Sequence, residues 1–290
     1  MRNLQIIDNS NHFVIISGAG YRQKLGNISG NVFKDANYKP NIGASCGFEL
    51  ARNGYGVLLL SRSKGKLENI KKSVDELYPD NALDFRTMDL LNEQEVRKLK
   101  HYIPAGKTVH LVHCMGLSAG SYKLPDDNPY LPIEKTPLEL PELEYEAVVK
   151  SLLLLVQILL PIFKRQSDSR IVVVSSMSGI RSFPLGYSHT SAKAGLHHAT
   201  RALTMELNKR NVYVTEINPG IVNTGLYDPP AVRKAVVDVG KAYGYNYKLD
   251  NFPQMNPDEI AKAVHFTISA DSHVLQINIV PKGQYPNLGA

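Results

Sequence analysis

The chain has 290 residues, 43% of them apolar, which is enough for one large α/β domain with a substantial core, and no second domain is required. Its 33 Lys and Arg exceed its 27 Asp and Glu, but no block of like charge occurs and no basic stripe interleaves with aromatics, which argues against a nucleic-acid surface. No basic, apolar leader opens the sequence, so the two cysteines, Cys46 and Cys114, read as reduced, buried thiols in a cytoplasmic protein with no membrane partner.

Residues 13–16 are a short apolar strand running into Ser17-Gly18-Ala19-Gly20. In a dinucleotide fold, the turn after the first strand brings backbone close to a pyrophosphate, and glycine permits that approach. Asn41-Ile42-Gly43 then opens a helix over residues 44–53. Between the two lies a segment rich in Asn, Gly and Lys, residues 21–40, which interrupts the glycine run. It is either a lid over the phosphates, charged by Arg22, Lys24 and Lys39, or a surface excursion. The second strand, residues 57–60, ends in Ser61-Arg62-Ser63. An acidic residue there would bond the ribose hydroxyls of NAD, whereas a serine and an arginine suit the 2′-phosphate of NADP(H). A helix over 67–78, a strand over 84–88 followed by Asp89-Leu90, a helix over 93–101 and a strand over 108–112 come next. His113-Cys114-Met115-Gly116 follows. Residues 118–141 hold five prolines and read as a loop over the cleft. The helix over 142–164 carries an apolar run, 152–163, too short for a bilayer and suited to a core or an interface.

The β-branched run Ile171–Val174 predicts a buried strand that ends in Ser175-Ser176. A loop with Gly and Pro follows, then a helix over 188–210 with Lys193 in its early turns. Ligands of open α/β sheets bind outside the carboxyl ends of the strands, so Ser176 and Lys193 are expected to face one cleft. A sixth strand, 212–217, leads into Asn218-Pro219-Gly220-Ile221-Val222-Asn223-Thr224. Residues 225–256 are polar, contain Tyr227, Tyr243, Tyr245 and Tyr247, and read as a variable cap over the substrate. A helix starts at Asn256-Pro257-Asp258-Glu259, and residues 274–280 are a seventh strand. The alternation predicts a Rossmann-like, doubly wound parallel sheet of about seven strands with helices on both faces, in one domain spanning 1–290.

Strand–Ser-Ser–loop, Thr190-Ser191-Ala192-Lys193-Ala194-Gly195 and the Pro-Gly-x-x-x-Thr of 219–224 resemble the active-site and cofactor motifs of the short-chain dehydrogenase/reductases, and the resemblance covers essentially the whole chain. It implies that Ser176 steadies an oxyanion and that Lys193 grips the cofactor ribose. The family's proton-donating Tyr stands four residues before the Lys; His189 occupies that position, and the nearby Tyr187, two residues too early, is the alternative donor. Likewise implied are Ser17, Gly18, Gly20, Ile42 and Gly43 at the pyrophosphate, Ser61 and Arg62 at the 2′-phosphate, and Asp89 and Leu90 at the adenine. Cys114 and Gly116 line the cofactor where the family has Asn-Asn-Ala-Gly, and Pro219, Gly220, Ile221 and Thr224 hold the nicotinamide. The Asn that holds a relay water falls at Val148, and the Asn that pins the central strand falls at His113, which takes that job by donating from its ring. The neighbouring Lys193 cation disfavours a charged imidazole at His189. Three readings therefore stand: an NADP(H)-dependent oxidoreductase using His189 or a water, a degenerate cofactor-binding partner of an active family member, or a dehydratase or isomerase with His189 as base. The expected partners are a small-molecule or carrier-bound substrate, with no metal, and either further copies of the chain in a homodimer or homotetramer, or an active relative in a heteromer.

Overall fold

Strand β1 (His12–Ser17) sends Phe13 and Ile15 into one hydrophobic core and Val14 and Ile16 into another. A strand buried on both faces belongs at the centre of a parallel sheet covered by helices. The computed structural model describes residues 9–24, 30–117, 124, 128–182, 184–242, 244, 247–250 and 252–284. After β1 the chain makes a short antiparallel ribbon, β2 (Tyr21–Gln23) with β3 (Tyr38–Pro40), and enters α1 (Ile42–Arg52). β4 (Gly56–Ser61), α2 (Lys64–Asp75) and β5 (Ala82–Thr87) follow, then α3 (Glu93–Arg97) and β6 (Thr108–His113). The second half contains β7 (Ser169–Val174), β8 (Val212–Pro219) and β9 (Gln276–Ile279). All seven main strands are parallel, in the order β5-β4-β1-β6-β7-β8-β9. The order reverses between β1 and β6, so the loops leaving these two strands diverge and open a crevice at their carboxyl ends.

One core is closed by α1, α2 and α8 (Pro257–Ser269). The other is closed by α3, by a long helix and by α6 (Tyr187–Leu207). The long helix is continuous from α4 (Glu139–Tyr145) through a π turn (Glu146–Lys150) into α5 (Ser151–Phe163). It begins three residues before the expected position because Pro141 sits in its first turn, where a missing N–H costs nothing. By length and composition it could cross a membrane, yet Leu152, Leu155, Leu159 and Phe163 lie inside the core.

Within the span expected as a variable cap, residues 230–242 form a helix, α7 (Pro230–Ala242). It packs Val236 and Val237 against Tyr247 and Phe252 in a third, smaller cluster. Tyr243 and Tyr245, residues 25–29 of the insertion, and residues 118–123 and 125–127 of the proline-rich stretch lie outside the described residues. The insertion is neither isolated nor remote: the Arg22 guanidinium donates to the Gly225 carbonyl at 2.9 Å, and Lys39 pairs with Asp228 at 2.5 Å. The ribbon therefore holds the start of the cap.

Candidate active site

Two concavities meet above the carboxyl ends of the strands. The first is a groove of about 570 Å³ across the switch point. Gly18, Gly20, Ile42, Ser61, Arg62, Asp89, Leu90, Cys114, Gly116 and Thr224 line it, as the sequence motifs anticipate. Gly18 has φ +85°, and a Cβ there would stand 2.7 Å from the Cys114 carbonyl oxygen; a Cβ on Gly43 would stand 2.8 Å from the Gly18 carbonyl oxygen. Only glycine allows β1, α1 and β6 to close this tightly. Cys114 is half-buried on the groove rather than sealed in the core, whereas Cys46 is buried; both are free thiols.

The interrupted glycine turn is stitched together by a residue that sequence reasoning left as a bystander. Asn41 caps α1 by accepting from the Ala44 N–H at 2.9 Å, accepts from the Gly20 N–H at 2.9 Å, and donates to the Gly18 carbonyl at 2.7 Å. One side chain thus joins both ends of a turn separated by the ribbon. The signal was present: Asn is a favoured N-cap, and it stands directly before the helix. The N-terminus of α1 opens on the groove with its unpaired N–H groups, and Arg62 and Lys66 line the same groove, which suits a long anionic ligand.

The second concavity is a tighter cavity of about 140 Å³ lined by Ser176, His189, Pro219, Gly220 and Ile221. Tyr130, Tyr227, Tyr247 and Arg181 line it as well, and none of them was singled out from the sequence as a site residue. Ser176 caps a short 3-10 turn, its Oγ accepting from the Ser178 N–H at 3.1 Å. Lys193 is 4% exposed; its Nζ donates to the Val174 carbonyl at 3.3 Å and the Met115 carbonyl at 3.4 Å. Burial lowers the Lys193 pKa, and the negative charge of Glu144 is the chief opposing influence. Tyr187 is the first residue of α6, 39% exposed and off the cavity, so it is not brought to Ser176 and Lys193. Helix α6 starts one residue earlier than expected, and that turn points Tyr187 outward.

Ser17 does not reach the groove. It is buried, and its Oγ meets His113 Nδ1 at 2.9 Å, while His113 Nε2 meets the Val148 carbonyl at 2.9 Å. A carbonyl only accepts, so Nε2 carries the proton and Nδ1 accepts from the serine hydroxyl. Burial pushes the His113 pKa down to about 3, so the ring is neutral. It bolts β6 to β1 and to the π turn of the long helix, as expected of a residue that pins the central strand. Val148, at the place of the family's relay Asn, contributes its backbone carbonyl to this joint. Behind Ser176 runs a second buried chain. His197 Nδ1 lies 2.6 Å from the Glu216 carboxylate, and the Asn218 amide nitrogen donates to Glu216 at 3.2 Å and to the Ser176 carbonyl at 3.3 Å.

A sequence-family model described as short chain dehydrogenase matches residues 40–231. An uncharacterized oxidoreductase of Staphylococcus saprophyticus is 27% identical over 235 residues, which cover 80% of this chain and 88% of that protein. Among solved structures, the NADPH-bound short chain oxidoreductase of Pseudomonas aeruginosa PAO1, described as containing an atypical catalytic center, superposes with a TM-score of 0.71 at 20% identity, covering 94% of this chain and 96% of that one. The alcohol dehydrogenase of the archaeon Thermococcus sibiricus complexed with 5-hydroxy-NADP gives 0.70 at 20% identity, covering 95% and 98%.

Proposed function

The chain belongs to the short chain dehydrogenase family, and on that premise we propose that it is an NADP(H)-dependent oxidoreductase that interconverts a carbonyl and an alcohol on a small-molecule or carrier-bound substrate. The observation that carries the reading is the meeting of groove and cavity along one segment: Pro219, Gly220 and Ile221 line the cavity and Thr224 lines the groove. A molecule laid along the groove from Arg62 toward Thr224 brings its far end to the mouth of the cavity that holds Ser176 and His189.

NADP(H), when bound, supplies or accepts the hydride. Ser61 and Arg62 hold its 2′-phosphate, a charge-assisted contact that NAD cannot make. Gly18, Gly20 and the N-terminus of α1 receive the pyrophosphate. Lys193, whose Nζ bonds the Val174 and Met115 carbonyls, takes the nicotinamide ribose. In the cavity the Ser176 hydroxyl, oriented by the Ser178 N–H, donates to the substrate oxygen as negative charge develops there. His189 delivers the proton, and its ring, 36% exposed, is recharged from water. Solved relatives with NADPH and an NADP derivative support the choice of cofactor.

The test is a purified sample, NADPH and a panel of ketones and aldehydes, with NADPH binding measured by fluorescence. NADPH-dependent reduction that is lost in His189→Ala, while binding survives, supports the reading. Binding without turnover on any carbonyl assigns the chain to the degenerate partners, and failure to bind NADPH removes the reading altogether.

A further inference from the structure

The family uses a tyrosine where this chain has His189, and a histidine beside a lysine has a difficulty that the tyrosine lacks. A histidine presents one ring nitrogen to a substrate only when a partner fixes the other, because the nitrogen that carries the hydrogen is set by the bond the other makes. Glu144 lies at the end of α4 with its side chain 3% exposed, and its Oε1 stands 3.7 Å from His189 Nδ1. The carboxylate is also the leading negative influence on Lys193. The buried carboxylate thus stands beside His189 and acts on Lys193.

Its placement is built into the packing. α4 runs against α6 beside Gly195, where even a Cβ would make only ordinary van der Waals contact with the Tyr145 ring at 3.5 Å and with Val149 at 3.7 Å. That approach sets Glu144 beside His189. The π turn begins immediately after Tyr145, and four residues after Glu144 the Val148 carbonyl is bonded to His113. The position of the family's relay Asn is thus filled by an apolar side chain, and a carboxylate one turn earlier faces the histidine.

We propose that Glu144 is the positioning residue of His189: the carboxylate takes the Nδ1–H and turns Nε2 toward the cavity and Ser176. This rests on the reading of His189 as the acid. The separation of 3.7 Å is longer than a formed hydrogen bond, and catalytic hydrogen bonds are often long before substrate is bound. In the reducing direction the carbonyl carbon gains a hydride from NADPH, which leaves as NADP⁺. The Nε2–H bond breaks as the alcohol O–H forms. The ring remains neutral with its hydrogen on Nδ1, facing Glu144, until water restores the second proton.

The test reads the ring directly, by nitrogen NMR of histidine-labelled protein, with His189→Gln used only to assign the signal. A free imidazole prefers its hydrogen on Nε2; the proposal requires the neutral His189 ring to hold it on Nδ1 in the wild type, and to revert to Nε2 in Glu144→Gln. A wild-type ring with its hydrogen on Nε2 overturns the proposal even where the variant does not fold. In turnover, Glu144→Gln lowers kcat by about 100-fold, the typical worth of a positioned acid, with KM for NADPH unchanged. An unaltered kcat in a variant that folds and binds NADPH also overturns it. An Nδ1–H ring that depends on Glu144, in a protein that reduces no carbonyl, leaves the pairing standing and counts against the oxidoreductase reading alone.

Discussion

His113 makes the fold sensitive to acid, and the size of the effect follows from its burial. The ring is fully enclosed, bonded to Ser17 and Val148, and its pKa falls from the ordinary 6.5 to about 3. His110, bonded to His12 and to the Arg170 N–H, is lowered to about 3 in the same way, with burial the main cause. Between those values the unfolded chain binds a proton at each ring and the folded chain does not. Stability is therefore complete above pH 6.5 and is lost as pH falls through the window toward 3. The slope is about 1.4 kcal/mol per pH unit for each ring. At about pH 5, some 1.5 units below the unfolded value, each ring has removed about 2 kcal/mol. His113→Asn removes one of the two titrations. The variant is expected to be about 1–3 kcal/mol less stable near neutrality, because a ring with two partners is lost. Between about pH 6.5 and 5 it should then lose about 2 kcal/mol less than the wild type. Urea unfolding followed by circular dichroism at several pH values measures both. His12 and His265, also lowered by burial, act alike in the two proteins and cancel in the difference. Parallel losses in wild type and variant across that window would refute the argument.

Arg62→Ala weakens NADPH binding by about 10- to 100-fold, the loss of one charged phosphate contact, and leaves NADH binding unchanged in the same titration. Asn41→Ala removes a helix cap and two bonds to the glycine turn; unfolding stability falls by about 1–2 kcal/mol and the Kd for NADPH rises, both measurable on one preparation. Lys39→Ala alone breaks a partly exposed ion pair and changes stability by less than about 1 kcal/mol. Combined with Arg22→Ala it frees the start of the cap, and steady-state kinetics should show KM rising for substrate and NADPH together, whereas a rise in only one of them breaks the link argued below.

The central strands were legible because they are apolar runs buried on both faces, whereas β5 and β9 are more polar and partly exposed. The expected 13–16, 57–60 and 171–174 fall inside β1, β4 and β7. Ser176 was legible because strand-end placement is a property of the topology and not of distant contacts, whereas Lys193, on α6, lines neither concavity. Asn41 was harder to value, since its partners Gly18 and Gly20 lie across the whole insertion. Helix α7 was not separated out although Val232, Val236 and Gly240 repeat every four residues behind Pro230, because the polar residues and tyrosines around it were read as one variable cap. The tyrosines that line the cavity come from two separate stretches of chain, and no local pattern connects Tyr130 with Tyr227. Glu144 and His189 come together through the packing of α4 on α6, which no local pattern in the sequence reveals.

The insertion that splits the glycine turn has a consequence for both halves of the site. Asn41 keeps the turn closed, so the ribbon β2–β3 costs the groove nothing and projects from its edge. Tyr21 and Arg22 then line the groove, while Arg22 and Lys39 reach over to Gly225 and Asp228. The segment they hold is the one that continues from β8: Ile221 lines the cavity, Thr224 and Leu226 line the groove, and Tyr227 returns to the cavity. A displacement of residues 224–228 alters both concavities at once. Ligand in the groove that settles this segment also settles a wall of the cavity, and by thermodynamic reciprocity a substrate that favours the same arrangement tightens the dinucleotide. Residues 21–40 thereby tie the groove to the cavity through one guanidinium, one ion pair and the loop between them.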